Sequence, residues 1–152
     1  MASPTQRSLA KWREAGAIAQ VVERWNPHAK VRQDLFGCID IIVIEGYMTI
    51  GVQATTTANS AARIDKALAE PRLRHWLAAT GNRFVVEGWA KRGVRGARKL
   101  WVCRTTEITP MHGNNVRLTV NGNLEAVLPW TGKAAVALGL PEAKAVATTD
   151  RS

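Results

Sequence analysis

The segment from residue 38 to residue 55 constrains the fold of this chain more than any other. Residues 38–45 read Cys-Ile-Asp-Ile-Ile-Val-Ile-Glu, and a strand that is apolar on both faces belongs inside a sheet covered on both sides. Glu45-Gly46-Tyr47 predicts a tight turn, and residues 48–55 predict the returning strand. The sequence therefore predicts a β-hairpin inside the domain.

Helices and further strands are predicted on both sides of this hairpin. The predicted helices are 8–18, which Ser8 would cap, 59–69 and 71–77, and the further strands are 21–25, 84–90 and 100–106. This order predicts an α/β or α+β domain with one central mixed sheet.

The C-terminal part is predicted as an extension of the same domain. Residues 116–120 and 124–128 flank Asn121-Gly122-Asn123, which is a hairpin turn signal. A short helix is predicted at 134–138, and the last ten residues are predicted to be loose. We therefore expect a core over 1–107 and an appended β-hairpin with a tail over 108–152, linked through 108–115.

The charge of the chain is strongly basic and localised. Lys and Arg number 21 against 12 Asp and Glu, and residues 1–104 hold 17 of the basic and 8 of the acidic side chains, which is the whole excess. A localised basic surface is typical of a protein that binds phosphate backbones, although a solvated basic face is the alternative. The densest part is a glycine-containing turn that carries Lys91, Arg92, Arg95, Arg98 and Lys99.

Composition also argues against several classes of protein. The two cysteines, Cys38 and Cys103, lie in strand-like segments without metal-ligand spacing, which argues against a disulfide scaffold or a structural zinc site and favours a reducing compartment. No apolar run is long enough to cross a bilayer, and the N-terminus has no signal-peptide core. We expect a cytoplasmic protein that does not enter membranes.

The six tryptophans have two interpretations. Trp12 and Trp76 lie at helical positions that predict core packing. Trp89 and Trp101 lie in the strands on either side of the basic turn, so they either pack in the core or stack on splayed bases. Trp25 precedes a turn at Pro27.

Asp40 is the most informative residue, because a carboxylate in an apolar strand costs several kcal/mol unless it is paired. A turn centred on Gly46 predicts that Asp40 faces Val52, one residue from Gln53. Because side chains alternate along a strand, Gln53 and Thr55 share a face. Asp40, Gln53 and Thr55 are therefore predicted to cluster, with oxygen atoms suited to Mg²⁺. In the alternative, Asp40 ends the strand in solvent or accepts a backbone hydrogen bond, and the two polar residues face water.

One pattern in this region resembles the PD-(D/E)XK nuclease core. In that core an Asp opens one strand, and the next strand of the hairpin carries an acidic or amide residue, then any residue, then a basic residue. The stretch RQDLFGCIDIIVI…MTIGVQAT is similar to it, and the resemblance extends over about residues 5–106. Within that superfamily, the stretch resembles archaeal-type Holliday junction resolvases and related phage or prophage nucleases. The resemblance implies a restriction-endonuclease-like sheet flanked by helices, hydrolysis of duplex or branched DNA with Mg²⁺ or Mn²⁺, and a homodimer.

The resemblance carries over to individual residues. Asp40 matches the family's Asp, and Gln53 matches the second acidic position, where some branches also use Gln. The upstream acid is either Glu14 or Glu23, of which we favour Glu23. Asp34, six residues before Asp40, is a further candidate metal ligand.

Thr55 is the main departure, since the family has Lys there to position water and stabilise charge in the transition state. In one interpretation, Lys66 or Arg63 on the following helix supplies the charge. In the other, the site is degenerate and the protein binds DNA without cutting it. A third hypothesis is an interaction module whose basic face meets an acidic protein. The leading expectation is an endonuclease that uses Asp40, Gln53, Thr55, Glu23 and Lys66, and that contacts DNA through residues 91–99 and Arg63.

Overall fold

The computed structural model describes residues 2–138. Within them the helices are α1 (Pro4–Glu14), α2 (Ser60–Leu68), α3 (Pro71–Leu77) and α4 (Ala134–Ala137), with a 3₁₀ turn at Thr57–Asn59 before α2. The strands are β1 (Ile18–Val21), β2 (Arg24–Asn26), β3 (Val31–Gln33), β4 (Ile41–Glu45), β5 (Met48–Thr56), β6 (Asn82–Arg92), β7 (Leu100–Pro110), β8 (Asn115–Val120) and β9 (Asn123–Pro129).

Seven of these strands form one mixed sheet in the order β1-β4-β5-β6-β7-β8-β9, while β2 and β3 pair only with each other. Strands β5 and β6 are parallel, because α2 and α3 return the chain between them, and all other neighbours are antiparallel. The expected α/β class with a central mixed sheet flanked by helices is therefore confirmed.

The sheet is covered on both faces. On one face α1 packs over a small apolar cluster that includes Ile41, Val43, Ile50 and Val52. On the other face α2 and α3 cover a larger core that extends to the C-terminal strands. Burial on both faces explains why the residues of β4 and β5 are apolar on both sides.

The predicted central hairpin is present, but its register differs by one residue. Glu45 pairs with Met48 and Ile41 pairs with Val52, so the turn consists of Gly46 and Tyr47, with Gly46 at φ 59°. Continued by one residue, this register sets Asp40 opposite position 53 instead of Val52. A two-residue turn with glycine at positive φ matches the twist of the flanking strands better than a turn centred on a single residue.

The first helix begins earlier than predicted. Ser3, not Ser8, is the N-cap: its hydroxyl accepts a hydrogen bond from the backbone N–H of Gln6, whose side chain in turn accepts from the backbone N–H of Ser3. Pro4 occupies the first turn, where its missing N–H costs nothing. Ser8 is buried inside the helix and accepts a hydrogen bond of 2.9 Å from the indole N–H of Trp89.

The predicted strand at 21–25 is also wrong, because the chain leaves the central sheet after Val21. Its continuation forms β2, which pairs with β3 in a separate hairpin.

The C-terminal hairpin continues the central sheet. Strand β7 runs to Pro110, four residues beyond its predicted end, and pairs with β8, which pairs with β9. The link predicted at 108–115 is thereby reduced to residues 111–114. The expectation of a loose tail concerns residues 143–152, which lie outside the described part of the chain. Within residues 2–138, no helix has the length and apolar character needed to cross a membrane.

Candidate metal centre

Three carboxylates meet where β4 begins. Glu23, Asp34 and Asp40 each place an oxygen atom within 4.8 Å of the others; we call these three residues the carboxylate cluster. Asp40 is buried, with 3% of its surface exposed, and the other two are partly buried. The structure thus brings Glu23, the favoured upstream acid, and Asp34 to Asp40. Glu14 lies exposed at the end of α1, which packs against the opposite face of the sheet.

A tight turn folds Asp34 back onto Asp40. Leu35 and Ile39 exchange backbone hydrogen bonds of 2.9 and 3.0 Å, so the residues on either side of this pair, Asp34 and Asp40, become neighbours. Residues 36 and 37 both adopt positive φ, at 54° and 72°. Glycine takes this conformation without strain, and the Phe before it takes it at some cost, so the tight turn depends on its surroundings.

Glu23 is positioned by the backbone of Asp40. As the chain leaves β1, the N–H groups of Val22 and Glu23 both donate to the carbonyl oxygen of Asp40, at 2.8 and 3.4 Å. This fixes the point at which the chain turns away from the sheet. The Glu23 carboxylate therefore lies over the start of β4.

Gln53 completes the site from the neighbouring strand. Its side-chain N–H₂ donates to Oδ2 of Asp40 at 2.7 Å, and the backbone N–H of Ala54 donates to the same oxygen at 2.9 Å. Gln53 is 2% exposed, and its Oε1 is buried without a hydrogen-bond partner in the described residues. A buried acceptor without a partner costs stability, and a bound cation would supply one.

The electrostatics of the cluster also favour a cation. The pKa of Asp40 is raised from its ordinary value of 3.8 to about 8, mainly by burial and then by a hydrogen bond with Asp34 and the charges of Asp34 and Glu23. The hydrogen bond from the backbone N–H of Ala54 acts in the opposite direction and lowers this pKa. Desolvation and like charges both disfavour the ionised carboxylate. The atoms available as metal ligands are carboxylate and amide oxygens, which hard divalent cations such as Mg²⁺ prefer. The residues present therefore fit such a cation.

Thr55 lies two residues beyond Gln53 on the same face of β5, and it is buried. It pairs with Gly88 of β6. Lys66, on α2, lines a cleft of about 650 Å³ that Asp34 also lines. Arg63 lies one turn earlier on the same helix and is partly buried. Of these residues, Lys66 is the one that shares a cavity with the carboxylate cluster.

The basic turn (residues 91–99) lies at the tip of the long hairpin formed by β6 and β7, and every residue in it is exposed. Strand β6 runs parallel to β5 and pairs Trp89 with Thr56, the last residue of β5. The β6–β7 hairpin therefore extends beyond the strand ends at which the carboxylate cluster lies. Strand β6 is two positions from β4, or about 10 Å at the usual strand spacing.

The tryptophans beside the basic turn contact α1. The guanidinium of Arg7 lies 3.7 Å from the ring centre of Trp101, and the Lys91 ammonium lies 5.5 Å from the same ring. Trp89 is fixed by its hydrogen bond to Ser8. These rings therefore hold the base of the hairpin against the first helix. Trp12 packs against the smaller core and Trp76 against the larger one, as predicted.

Sequence reasoning missed the role of Glu87. Its side chain is fully buried, forms an ion pair with Lys11, and accepts a hydrogen bond of 3.2 Å from the indole N–H of Trp12. The available signal was an acidic residue inside the apolar strand 84–90. This ion pair is on the α1 face, away from the carboxylate cluster.

No protein-family model, curated protein or solved structure matches this chain. Its chemistry is therefore inferred from the residues described above.

Proposed function

We propose that this protein is a metal-dependent DNA endonuclease that binds Mg²⁺ or Mn²⁺ at the carboxylate cluster. The observation that carries the proposal is the buried Asp40 among Glu23, Asp34 and the unpartnered Oε1 of Gln53. The resemblance of the Asp40 and Gln53 pattern to the PD-(D/E)XK nucleases agrees with it, as does the mixed sheet. Duplex and branched DNA are both candidate substrates.

Each residue has a distinct role in this proposal. Asp40 and Gln53 hold the cation from two adjacent strands, and Glu23 and Asp34 complete its oxygen shell. A bound divalent cation would lower the pKa of a water ligand and offset charge on the scissile phosphate. Lys66 provides positive charge beside Asp34, in place of the Lys that Thr55 replaces. Thr55 itself contributes at most a neutral hydroxyl.

The basic turn would hold the DNA. Its five Lys and Arg residues extend from the end of the sheet that carries the carboxylate cluster. A duplex lying across that end would contact both the basic turn and the cluster. Contacts with phosphates fix the position of the duplex without reading its sequence. Arg63 is proposed as a further contact on α2. Residues 2–138 hold one such cluster, and cutting both strands needs two, so we expect a homodimer on the substrate. Sedimentation of a monomer alone, with and without DNA, would contradict this expectation.

The test is cleavage of duplex, single-stranded and four-way-junction DNA in Mg²⁺ or Mn²⁺. We expect Asp40→Asn to lower cleavage by at least about 100-fold while DNA binding is retained, because loss of a group that only orients a metal ligand already costs about 10–100-fold. Glu125→Gln, at an exposed position on β9, removes one carboxylate elsewhere and is the matched control. Failure of the wild-type protein to cut any substrate, or full activity of Asp40→Asn, would refute the proposal.

The role of Lys66 is tested separately. Lys66→Ala should reduce cleavage strongly, and Lys66→Arg should restore part of it because the charge returns. Unchanged cleavage in Lys66→Ala would exclude Lys66 as the source of the missing charge.

A second candidate function is DNA binding without cleavage. The observation that favours it is the buried Thr55 at the position where the related nucleases have Lys. It predicts salt-sensitive DNA binding and no product with either metal. The same cleavage experiment therefore separates the two functions.

A further inference from the structure

The small hairpin of β2 and β3 is a second basic projection beside the carboxylate cluster. Between Arg24 and Gln33 it carries Arg24, Lys30 and Arg32 and no acidic residue. Its turn is closed by Asn26, whose side-chain oxygen accepts from the backbone N–H groups of residues 28 and 29 at 3.0 and 3.1 Å. The chain leaves the sheet after β1 to form this hairpin and returns before β4. The hairpin therefore projects from the same end of the sheet as the basic turn, on the other side of the carboxylate cluster.

A cleft lies between this hairpin and the helices α2 and α3. Its volume is about 650 Å³, and four of its lining side chains are cationic, namely those of Arg24, Arg32, Lys66 and Arg72. Asp34 lines the same cleft and also belongs to the carboxylate cluster. Arg32 lies 3.8 Å from Glu23, and Arg72 forms an ion pair with Glu70. Within the described residues Arg24 and Lys66 have no ion-pair partner, so the cleft leads from the proposed metal ion to two positive charges that are open to phosphate.

The size of the cleft selects the form of nucleic acid that can enter it. Pockets of about 300–1,000 Å³ hold one small molecule, so one or two nucleotides fit. The bases of a duplex are paired and stacked, so a base can enter the cleft only from an unpaired strand. The basic turn lies at the exposed tip of a hairpin, so the width of a duplex does not prevent contact with it.

Trp25 provides a second, independent observation. It lies on β2 directly opposite Arg32 and is 56% exposed, unlike Trp89 and Trp101, which are held against α1. An exposed indole beside cations is a stacking platform for a base, and only an unpaired base presents a free face to it.

We propose that the small hairpin and its cleft bind an unpaired strand of the substrate next to the cleavage position. The preferred substrate is then DNA with a single-stranded arm, with the basic turn on the duplex and the small hairpin on the arm. This inference rests on the proposed DNA-binding function and narrows its substrate class.

The experiment measures binding by fluorescence anisotropy in EDTA, with a blunt duplex and the same duplex extended by a single-stranded thymidine arm. The wild-type protein should bind the extended duplex about tenfold more tightly, which is the range of one base–aromatic stack. Trp25→Ala and Arg24→Ala should each remove most of that preference and leave blunt-duplex binding unchanged. Trp25→Phe should retain most of it, because the aromatic face is kept.

Two controls separate this inference from the proposed function. Arg117→Ala removes one exposed charge from β8, opposite Thr109 and far from the tip of the hairpin, and should change neither affinity. Arg95→Ala/Arg98→Ala should weaken both substrates equally.

Equal affinity of the wild-type protein for both substrates would overturn the inference and leave the proposed function standing. An equal loss on both substrates in Trp25→Ala would also overturn it. Failure to bind either substrate would refute the proposed function itself.

Discussion

Replacing Asp40 by Asn is expected to stabilise the cation-free protein at neutral and mildly alkaline pH. Burial and the neighbouring Asp34 raise the pKa of Asp40 from 3.8 to about 8. Between these two values the folded state binds a proton that the unfolded state has released, so the free energy of unfolding falls as pH rises. The Asn side chain does not ionise, and its oxygen can still accept from Gln53 and Ala54.

The magnitude follows from the pKa difference. The difference between the pKa values of 3.8 and about 8 corresponds to about 6 kcal/mol at about 1.4 kcal/mol for each unit of pH, and this is an upper bound. Glu23 and Asp34 are only partly buried, so water reduces the repulsion, and we expect a stabilisation of about 2 kcal/mol at pH 8. At pH 4, where Asp40 is protonated in the folded state, the difference should nearly vanish.

Urea unfolding in EDTA at pH 4, 6 and 8 measures this effect. Added Mg²⁺ should then stabilise the wild-type protein, by about 2.7 kcal/mol at one hundred times the dissociation constant, and stabilise Asp40→Asn much less. Glu125→Gln should follow the wild-type protein throughout. If Asp40→Asn is less stable than the wild-type protein at pH 8 in EDTA, the negative charge of Asp40 is compensated within the fold, and the reasoning for a cation site fails.

Three further predictions concern other parts of the molecule. Lys11→Met should cost about 2 kcal/mol in urea unfolding, because Glu87 stays buried while the half-exposed Lys11 is lost; Lys11→Met/Glu87→Gln should recover part of this, and equal stability of the two variants would contradict it. Gly88→Ala should destabilise the protein by about 1–3 kcal/mol, because the new Cβ would lie 3.0 Å from a backbone Cα of the 3₁₀ turn before α2; an unchanged urea midpoint would show that the turn can shift freely. Affinity for duplex DNA should fall steeply with salt, and Arg95→Ala/Arg98→Ala should flatten the logarithmic slope by about two; an unchanged slope would remove the basic turn from the DNA face.

The central hairpin and one part of the site could be predicted from the sequence, because both depend on local pattern. An apolar run broken by one carboxylate fixes a buried strand, and Gly46 fixes where it reverses. That Gln53 and Thr55 lie on the same side of their strand follows from alternation alone. The register was wrong by one residue because a turn centred on Gly46 and a turn of Gly46 with Tyr47 differ only in backbone conformation.

The convergence of the carboxylates could not be predicted in the same way. Asp34 reaches Asp40 through a turn in which Phe36 has positive φ, and a bulky residue gives no sequence signal for that conformation. Glu23 arrives because the chain leaves one sheet and enters another, which depends on hydrogen bonds to the carbonyl of Asp40. Both arrangements depend on tertiary structure. The sequence therefore predicts which acidic residues are candidates for the site, but not how they are arranged.

The presence of a short uncharged side chain at position 55 is consistent with how closely α2 lies over the sheet. Thr55 pairs with Gly88, and a side chain at position 88 would collide with the 3₁₀ turn and the first residue of α2. A small residue beside a glycine lets the start of this helix pack directly on the sheet, leaving little room for a long cationic side chain at position 55. The same helix carries Lys66 to the cleft that Asp34 lines. In this fold, the lysine that shares a cleft with the carboxylate cluster therefore lies on the helix above the sheet and not on the strand.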